Sequence, residues 1–244
     1  MIKHILRPFL IIYGLSLFAV GLVVTYCIVR VISLRNTLAA NKAIFSVVKG
    51  WSRITAQLLG ASLDVTGKPA GGRYVVVANH ASYWDAVALF SARPDYFHAL
   101  GKKELIHAPL LGFLYKQVAI LVDRSSPESR AESMHKMMRF LKEEGNIFIF
   151  PEGTFNETEE PLKEFYDGAF RLAITAQTPI LPLIFPDALE RLHPKKWWTW
   201  WPGKSRAIYL EPVNVEGLTL EDVPKLKQQV YTLMGKAIVK YKTV

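Results

Sequence analysis

Four residues separate His80 from Asp85 in the run Asn79-His80-Ala81-Ser82-Tyr83-Trp84-Asp85. The run follows a β-branched segment that reads as a buried strand. A histidine at a strand end and an aspartate one turn into the next helix can face each other. The carboxylate then holds one ring nitrogen and leaves the other free to take a proton. This is a base with its orienting acid but with no protein nucleophile. No Gly-x-Ser-x-Gly elbow occurs, and the single cysteine, Cys27, lies in a long apolar stretch. The nucleophile would therefore be a hydroxyl of the substrate itself.

Three further loops place reactive or charged residue types at strand ends. Gly101-Lys102-Lys103-Glu104-Leu105 precedes Pro109 and Gly112, and Ile120-Leu121-Val122-Asp123-Arg124-Ser125 carries an arginine. Both put cations where an anionic headgroup could be clamped, arginine by a two-pronged contact to phosphate oxygens. A solvated surface is the competing reading for these lysines and arginine. In Phe150-Pro151-Glu152-Gly153-Thr154-Phe155, a glycine after a glutamate at the end of an apolar strand permits a sharp turn whose N–H groups could hold an oxyanion.

The elements that must position these loops alternate between strand and helix. Strands are predicted over Arg73–Ala78, Asp95–Gly101, Ala119–Val122, Asn146–Phe150, Pro179–Ile184 and Arg206–Leu210. A helix begins at Ser126-Pro127, serine capping and proline at the first position. It carries the stripe Met134, Met137, Met138, Leu141 and ends at Gly145. A last helix is read over Leu220–Lys240. The pattern implies an α/β fold, a mostly parallel central sheet flanked by helices, with sites in the loops at the strand ends.

Ahead of this region the chain is uncharged from Pro8 to Val29, with Lys3 and Arg7 before and Arg30 and Arg35 after. Such a helix matches a hydrocarbon core of about 30 Å, and it is too long for the apolar part of a signal peptide. A second helix, roughly Asn36–Leu59, sets Ile44, Val47, Val48, Trp51, Ile54, Thr55 and Leu58 on one face. It would either pack on the core or lie in the lipid interface. Lys195-Lys196-Trp197-Trp198-Thr199-Trp200-Trp201-Pro202-Gly203-Lys204 holds four of the six tryptophans, an interfacial composition that suggests a membrane-dipping loop. The expected organisation is a membrane-embedded helix pair over 1–60 and a catalytic domain over 61–244. The greater positive charge after the first helix favours a cytoplasmic downstream domain.

Composition agrees with this division. The 244 residues are 50% hydrophobic and 21% charged, which excludes a disordered chain, and one cysteine excludes a disulfide scaffold. The net charge of +9 calls for an anionic partner, nucleic acid or anionic lipid. The uncharged N-terminal stretch argues against nucleic acid. Gly203-Lys204-Ser205 matches the end of a phosphate loop, but Trp198 occupies the place of the required glycine. A membrane-surface binding protein without catalysis is the remaining rival.

Taken in order, NHASYWD at 79–85, GKKEL at 101–105 with APLLG at 108–112, ILVDR at 120–124, FPEGT at 150–154 and TPILPL at 178–183 resemble the glycerophosphate and lysophosphatidate acyltransferase family. The resemblance implies transfer of a fatty acyl chain from coenzyme A or acyl carrier protein to the sn-2 hydroxyl of 1-acylglycerol 3-phosphate, giving phosphatidic acid. It implies His80 as general base oriented by Asp85, phosphate contacts from Lys102, Lys103 and Arg124, and Glu152, Gly153 and Thr154 shaping the acceptor site. No metal or cofactor is implied. Two positions depart from the pattern: Phe155 stands where arginine is usual, and Phe165-Tyr166-Asp167-Gly168 lacks a lysine two residues before the glycine. One cation fewer at a dianionic headgroup costs on the order of 1.5–3 kcal/mol unless another replaces it. Lys163 and Arg171 are the candidates. A lyso-lipid without phosphate, such as an acylated amino acid with a free hydroxyl, is the alternative acceptor.

Overall fold

The structure is a computed structural model that describes residues 2–67, 71–92, 95–123 and 125–242. Its frame is a seven-stranded sheet in the order β1-β7-β6-β2-β5-β3-β4. The strands are β1 (Leu63–Thr66), β2 (Val75–Ala78), β3 (Phe97–Lys102), β4 (Ala119–Val122), β5 (Asn146–Ile149), β6 (Ile180–Ile184) and β7 (Ser205–Tyr209). All neighbours run parallel except β6 and β7. The central strands are apolar on both faces, as a sheet covered on both sides requires. Period-two alternation sends Val75, Val77, Ile147 and Ile149 into one core and Val76, Ala78 and Phe148 into the other.

The first core is roofed by α5 (Pro127–Glu143), α6 (Gly168–Ala176) and α8 (Val223–Lys242). The Ser126 side chain accepts from the N–H of Ser129 at 3.1 Å, and Met137, Phe140 and Leu141 are buried beneath α5. The C-terminal helix opens with a 3-10 turn, Leu220–Asp222, because Thr219 and Asp222 form a reciprocal cap there. Strand β1 was not legible in the sequence. It is a short edge strand with alternating Leu63 and Val65, and only its pairing with β7 defines it.

The second core is closed by α2 (Leu38–Leu58), α3 (Trp84–Ala92) and the short α7 (Ala188–Arg191). The buried face of α2 holds Ala40, Ile44, Phe45, Val48, Ser52, Thr55 and Ala56. It is rotated from the predicted stripe, so that Ile54 and Leu58 point outward. The cause is aromatic packing: the Phe45 ring meets Phe97 at 4.9 Å and Tyr96 at 5.4 Å, both edge-on.

Helix α1 (Ile2–Ile32) folds back along α2 as an antiparallel hairpin. The Tyr13 hydroxyl donates to the Leu58 carbonyl at 3.2 Å, and near the other end Val29 and Ile44 are buried with α4 (Leu111–Val118). Residues Ile5–Ile32 have a mean hydropathy of 2.3 and are long enough to cross a membrane, with most of their apolar side chains exposed. The tryptophan run divides over this helix. Trp200 is buried, its ring 4.0 Å from where a Cβ on Gly14 would sit. Trp201 is half-buried and Trp198 is exposed, while the side chain of Trp197 lies outside what is described. The four rings therefore do not dip together as one loop, because the glycine face of α1 takes one of them into the fold.

Candidate active site

The parallel strands β2, β5, β3 and β4 deliver their C-terminal ends to one edge of the sheet. Asn79 locks the end of β2 to that of β6: the Phe185 N–H donates to Asn79 Oδ1 at 2.8 Å, and Asn79 Nδ2 donates to the Phe185 carbonyl at 3.3 Å. The next residue, His80, leaves the sheet and lies beside Asp85 at the start of α3. His80 Nδ1 and Asp85 Oδ2 are 2.9 Å apart.

Asp85 is fully buried. The same Oδ2 accepts the N–H groups of Ala81 at 2.8 Å and Ser82 at 2.9 Å. Burial pushes the Asp85 carboxyl up, and the His80 ring and those two N–H groups pull it back. An Nδ1–H donated to this carboxylate leaves Nε2 as the lone-pair nitrogen. Among the described residues nothing is hydrogen-bonded to Nε2, and the His80 side chain is 22% exposed. The ring cannot swing freely. It stacks on Phe150 with centroids 3.8 Å apart, and Phe155 closes over it at 4.4 Å.

The loop after β5 supplies the support. Glu152 is buried, with Oε1 accepting the backbone N–H of His80 at 2.7 Å and Oε2 that of Lys163 at 2.8 Å. Burial raises its carboxyl to about 7, opposed by those two N–H groups. Gly153 has φ 72°, in the left-handed region, which reverses the chain directly after the glutamate. Thr154 is exposed, and its Oγ1 accepts from Lys163 Nζ at 2.8 Å. His80, Asp85, Glu152, Gly153 and Thr154 thus come together as one constellation.

The predicted cations do not all join it. Lys102 ends β3 on the same sheet edge, but its side chain is 55% exposed and pairs with Glu104 at 3.5 Å. Lys103 is exposed beside Asp123 and Glu132. Asp123 is held low first by its hydrogen bonds to Ser125, with Lys103 adding to them. Arg124 lies outside the described residues. No three His, Cys, Asp or Glu side chains among the described residues converge as a metal-ligand set.

Several contributors carried no sequence signal. Asn156 donates its backbone N–H to the His80 carbonyl at 2.6 Å. Its side chain organises the following turn by accepting from Thr158 and donating to the Glu160 carbonyl. Ser82 donates its hydroxyl to the Leu192 carbonyl and accepts the Trp84 N–H, fixing the first turn of α3. Tyr83 meets Phe155 edge-on at 4.8 Å. The aromatic wall was foreseeable only in Phe155, and there as a missing arginine rather than as a ring against histidine.

The comparisons with known proteins meet this geometry at the same residues. The family model "Acyltransferase" matches 62–186, the span that runs from β1 through β6 and contains every residue of the constellation. The 1-acyl-sn-glycerol-3-phosphate acyltransferase alpha of Mus musculus is 33% identical over 178 residues, covering 71% of this chain and 62% of the relative. The chain therefore spans a little under two thirds of that relative's length. The 1-acyl-sn-glycerol-3-phosphate acyltransferase of Haemophilus influenzae is 30% identical over 168 residues, 68% of each chain. The crystal structure of the 1-acyl-sn-glycerophosphate (LPA) acyltransferase PlsC of Thermotoga maritima superposes with a TM-score of 0.81 over 99% of this chain and 98% of that one, at 23% identity, and shares the fold. With a matched region of more than half its length that contains the histidine–aspartate pair, the chain belongs to the acyltransferase family.

Proposed function

We propose that the chain is a membrane-bound O-acyltransferase that moves a fatty acyl group from an acyl thioester, on acyl carrier protein or coenzyme A, to the sn-2 hydroxyl of 1-acylglycerol 3-phosphate. The product is phosphatidic acid. The observation that carries this reading is the 2.9 Å His80–Asp85 contact, with no hydrogen bond to the open Nε2 from any side chain among the described residues. Cys27, the only cysteine, is exposed on α1. The names of the relatives supply the substrate class.

In this mechanism His80 Nε2 takes the proton of the acceptor hydroxyl as its oxygen attacks the thioester carbonyl. The C–S bond then breaks, and the imidazolium returns the proton to the leaving thiolate. Asp85 stabilises the imidazolium and keeps Nδ1 protonated throughout. Glu152, Gly153 and Thr154 hold the acceptor loop, and Lys102, Lys103 and Arg124 stay as proposed outer contacts for phosphate.

Membrane attachment is supported by the exposed apolar surface of α1 and by Trp198 between exposed Lys196 and Lys204. Because α1 is fastened along α2, the hairpin and the adjoining tryptophan segment would enter the lipid together, with the sheet edge at the surface. A phosphate-free lyso-lipid is the second reading, favoured by Phe155 against the His80 ring. One assay decides. Purified protein in detergent receives labelled acyl thioester with lysophosphatidate or, in parallel, with a phosphate-free hydroxyl lyso-lipid. Transfer to lysophosphatidate with matching thiol release is the expected result. Transfer only to the other acceptor would replace the substrate, and no thiol release with any acceptor would remove the enzyme.

A further inference from the structure

A cleft of about 330 Å³ opens beside His80, lined by Thr154, Phe155, Glu157, Thr158 and Lys163. It is at the small end of ligand pockets, about 300–1,000 Å³. Phe155 is shared between its wall and the His80 ring, so a single aromatic ring joins the cleft to the histidine. Its two charged lining residues are treated differently. Glu157 is matched by Lys195, whose Nζ is 2.6 Å from Oε2. Lys163 has no carboxylate within ion-pair distance among the described residues, and its ammonium rests on the Thr154 hydroxyl at 2.8 Å. Of the other charges on the same stretch, Asp167 is engaged by Lys227 at 2.7 Å.

Resting on the function proposed above, we infer that Lys163, with the Thr154 hydroxyl, is the seat of the phosphate group of the acceptor. An ammonium has three donors, and only one is used on Thr154. The Thr154 oxygen accepts from Lys163, so its own proton is free to donate to a phosphate oxygen. The position is also fixed relative to the base, since Glu152 bonds the backbone N–H of His80 through one oxygen and that of Lys163 through the other. In 1-acylglycerol 3-phosphate the reacting hydroxyl and the phosphate ester are on neighbouring carbons. A hydroxyl at His80 therefore places the phosphate at the next wall, where this cation stands. Phe155 then serves as an apolar face behind the glycerol carbons rather than as a headgroup contact.

The chemistry recognised is a phosphate monoester, and the acyl donor also carries phosphate, so the test separates the two. Wild type, Lys163→Ala, Lys163→Arg and Thr154→Val are compared in detergent micelles for KM and kcat. The substrates varied are lysophosphatidate, monoacylglycerol and acyl-coenzyme A. The expected result for Lys163→Ala is a rise of about 10- to 100-fold in KM for lysophosphatidate, the effect of losing one charge-assisted hydrogen bond. The kcat and the constants for monoacylglycerol and the donor stay within about twofold. Lys163→Arg recovers most of the loss, and Thr154→Val shows a smaller rise for the same substrate. The side chain alone is altered, so the bond from the Lys163 N–H to Glu152 is kept. An equal rise for both acceptors, a rise only for the donor, or no change overturns the assignment while leaving the reaction in place. A wild-type protein that does not use lysophosphatidate overturns the reaction and this seat with it.

Discussion

The backbone N–H of His80 donates to Oε1 of Glu152 at 2.7 Å, which ties the base to the carboxylate of a different strand end. The other oxygen of that carboxylate takes the Lys163 N–H at 2.8 Å. Both oxygens are therefore committed to main-chain donors, and Glu152 acts as a positioning residue. Glu152→Gln keeps the shape but must turn its NH2 toward one of the two donors. One hydrogen bond is lost, and an N–H is left facing an N–H. We expect kcat/KM to fall about 10- to 100-fold, the scale of one buried unsatisfied group. The fold should be retained by circular dichroism. Unchanged kinetics would show that the link does not position the base.

The same carboxylate makes stability depend on pH. Its pKa is about 7 in the folded chain against 4.5 ordinarily, chiefly because it is buried. Between those values the folded chain keeps a proton that the unfolded chain has released. Stability from this group therefore falls as pH rises from about 4.5 to 7, by on the order of 3 kcal/mol in full. His98 acts with the opposite sign. Burial lowers it to about 4, and its ring is stacked on Phe140 at 4.2 Å. The unfolded chain binds the proton first, so stability from His98 is present above about pH 6.5 and is lost as pH falls toward 4. Urea midpoints measured from pH 4.5 to 8 should show wild type losing stability relative to Glu152→Gln as pH rises. Relative to His98→Phe, wild type should gain over the lower half of the range. Parallel curves would contradict both assignments.

Asp85→Asn tests the pair itself. Oδ2 of Asp85 accepts from the His80 ring, Ala81 and Ser82, and Oδ1 has no partner among the described residues. An asparagine oxygen can receive the same donors, so the local turn survives. The negative charge that would stabilise an imidazolium is gone, and a buried NH2 is left without an acceptor. The expected loss is about 10²–10⁴-fold in kcat, with His80→Ala at least as severe. Near-full activity of either variant in acyl transfer would remove His80 as the base.

How much of this was legible in the sequence follows from where each signal is encoded. The strands that carry the site are β-branched or apolar runs ending in the reactive loops, and β4 is observed over the predicted residues, Ala119–Val122. The Ser126-Pro127 start of α5 is likewise encoded locally. The His80–Asp85 contact was readable because four intervening residues span one strand-to-helix turn. The tie between His80 and Glu152 was not, since 72 positions separate them and only the adjacency of β2 and β5 brings them together. The rotated face of α2 escaped for a similar reason, because Phe45 is chosen by rings on other elements. Lys102 illustrates the converse: a motif position can be recognised while its side chain points to a neighbouring glutamate.

The N-terminal hairpin gives the last test, through two glycines with opposite surroundings. A Cβ on Gly21 would fall 2.3 Å from Trp51 Nε1, in a contact where the Phe18 and Trp51 rings already meet at 5.3 Å. Gly21→Ala must push the Trp51 ring or α1 itself aside, an overpacking cost of about 1–3 kcal/mol. Gly50 is in α2, and a Cβ there meets nothing within 4 Å. Gly50→Ala should therefore stabilise by roughly 0.5–1 kcal/mol, because alanine loses less backbone freedom on forming a helix. Thermal unfolding in detergent should rank the proteins Gly50→Ala above wild type above Gly21→Ala. Limited proteolysis after Arg30 or Arg35 should be fastest in the last, because Arg30 is in the last turn of α1 and Arg35 is in the connection to α2. If Gly21→Ala were as stable and as protected as wild type, α1 would not be packed on Trp51. The sheet edge that carries His80 would then lose its fixed relation to the apolar helix.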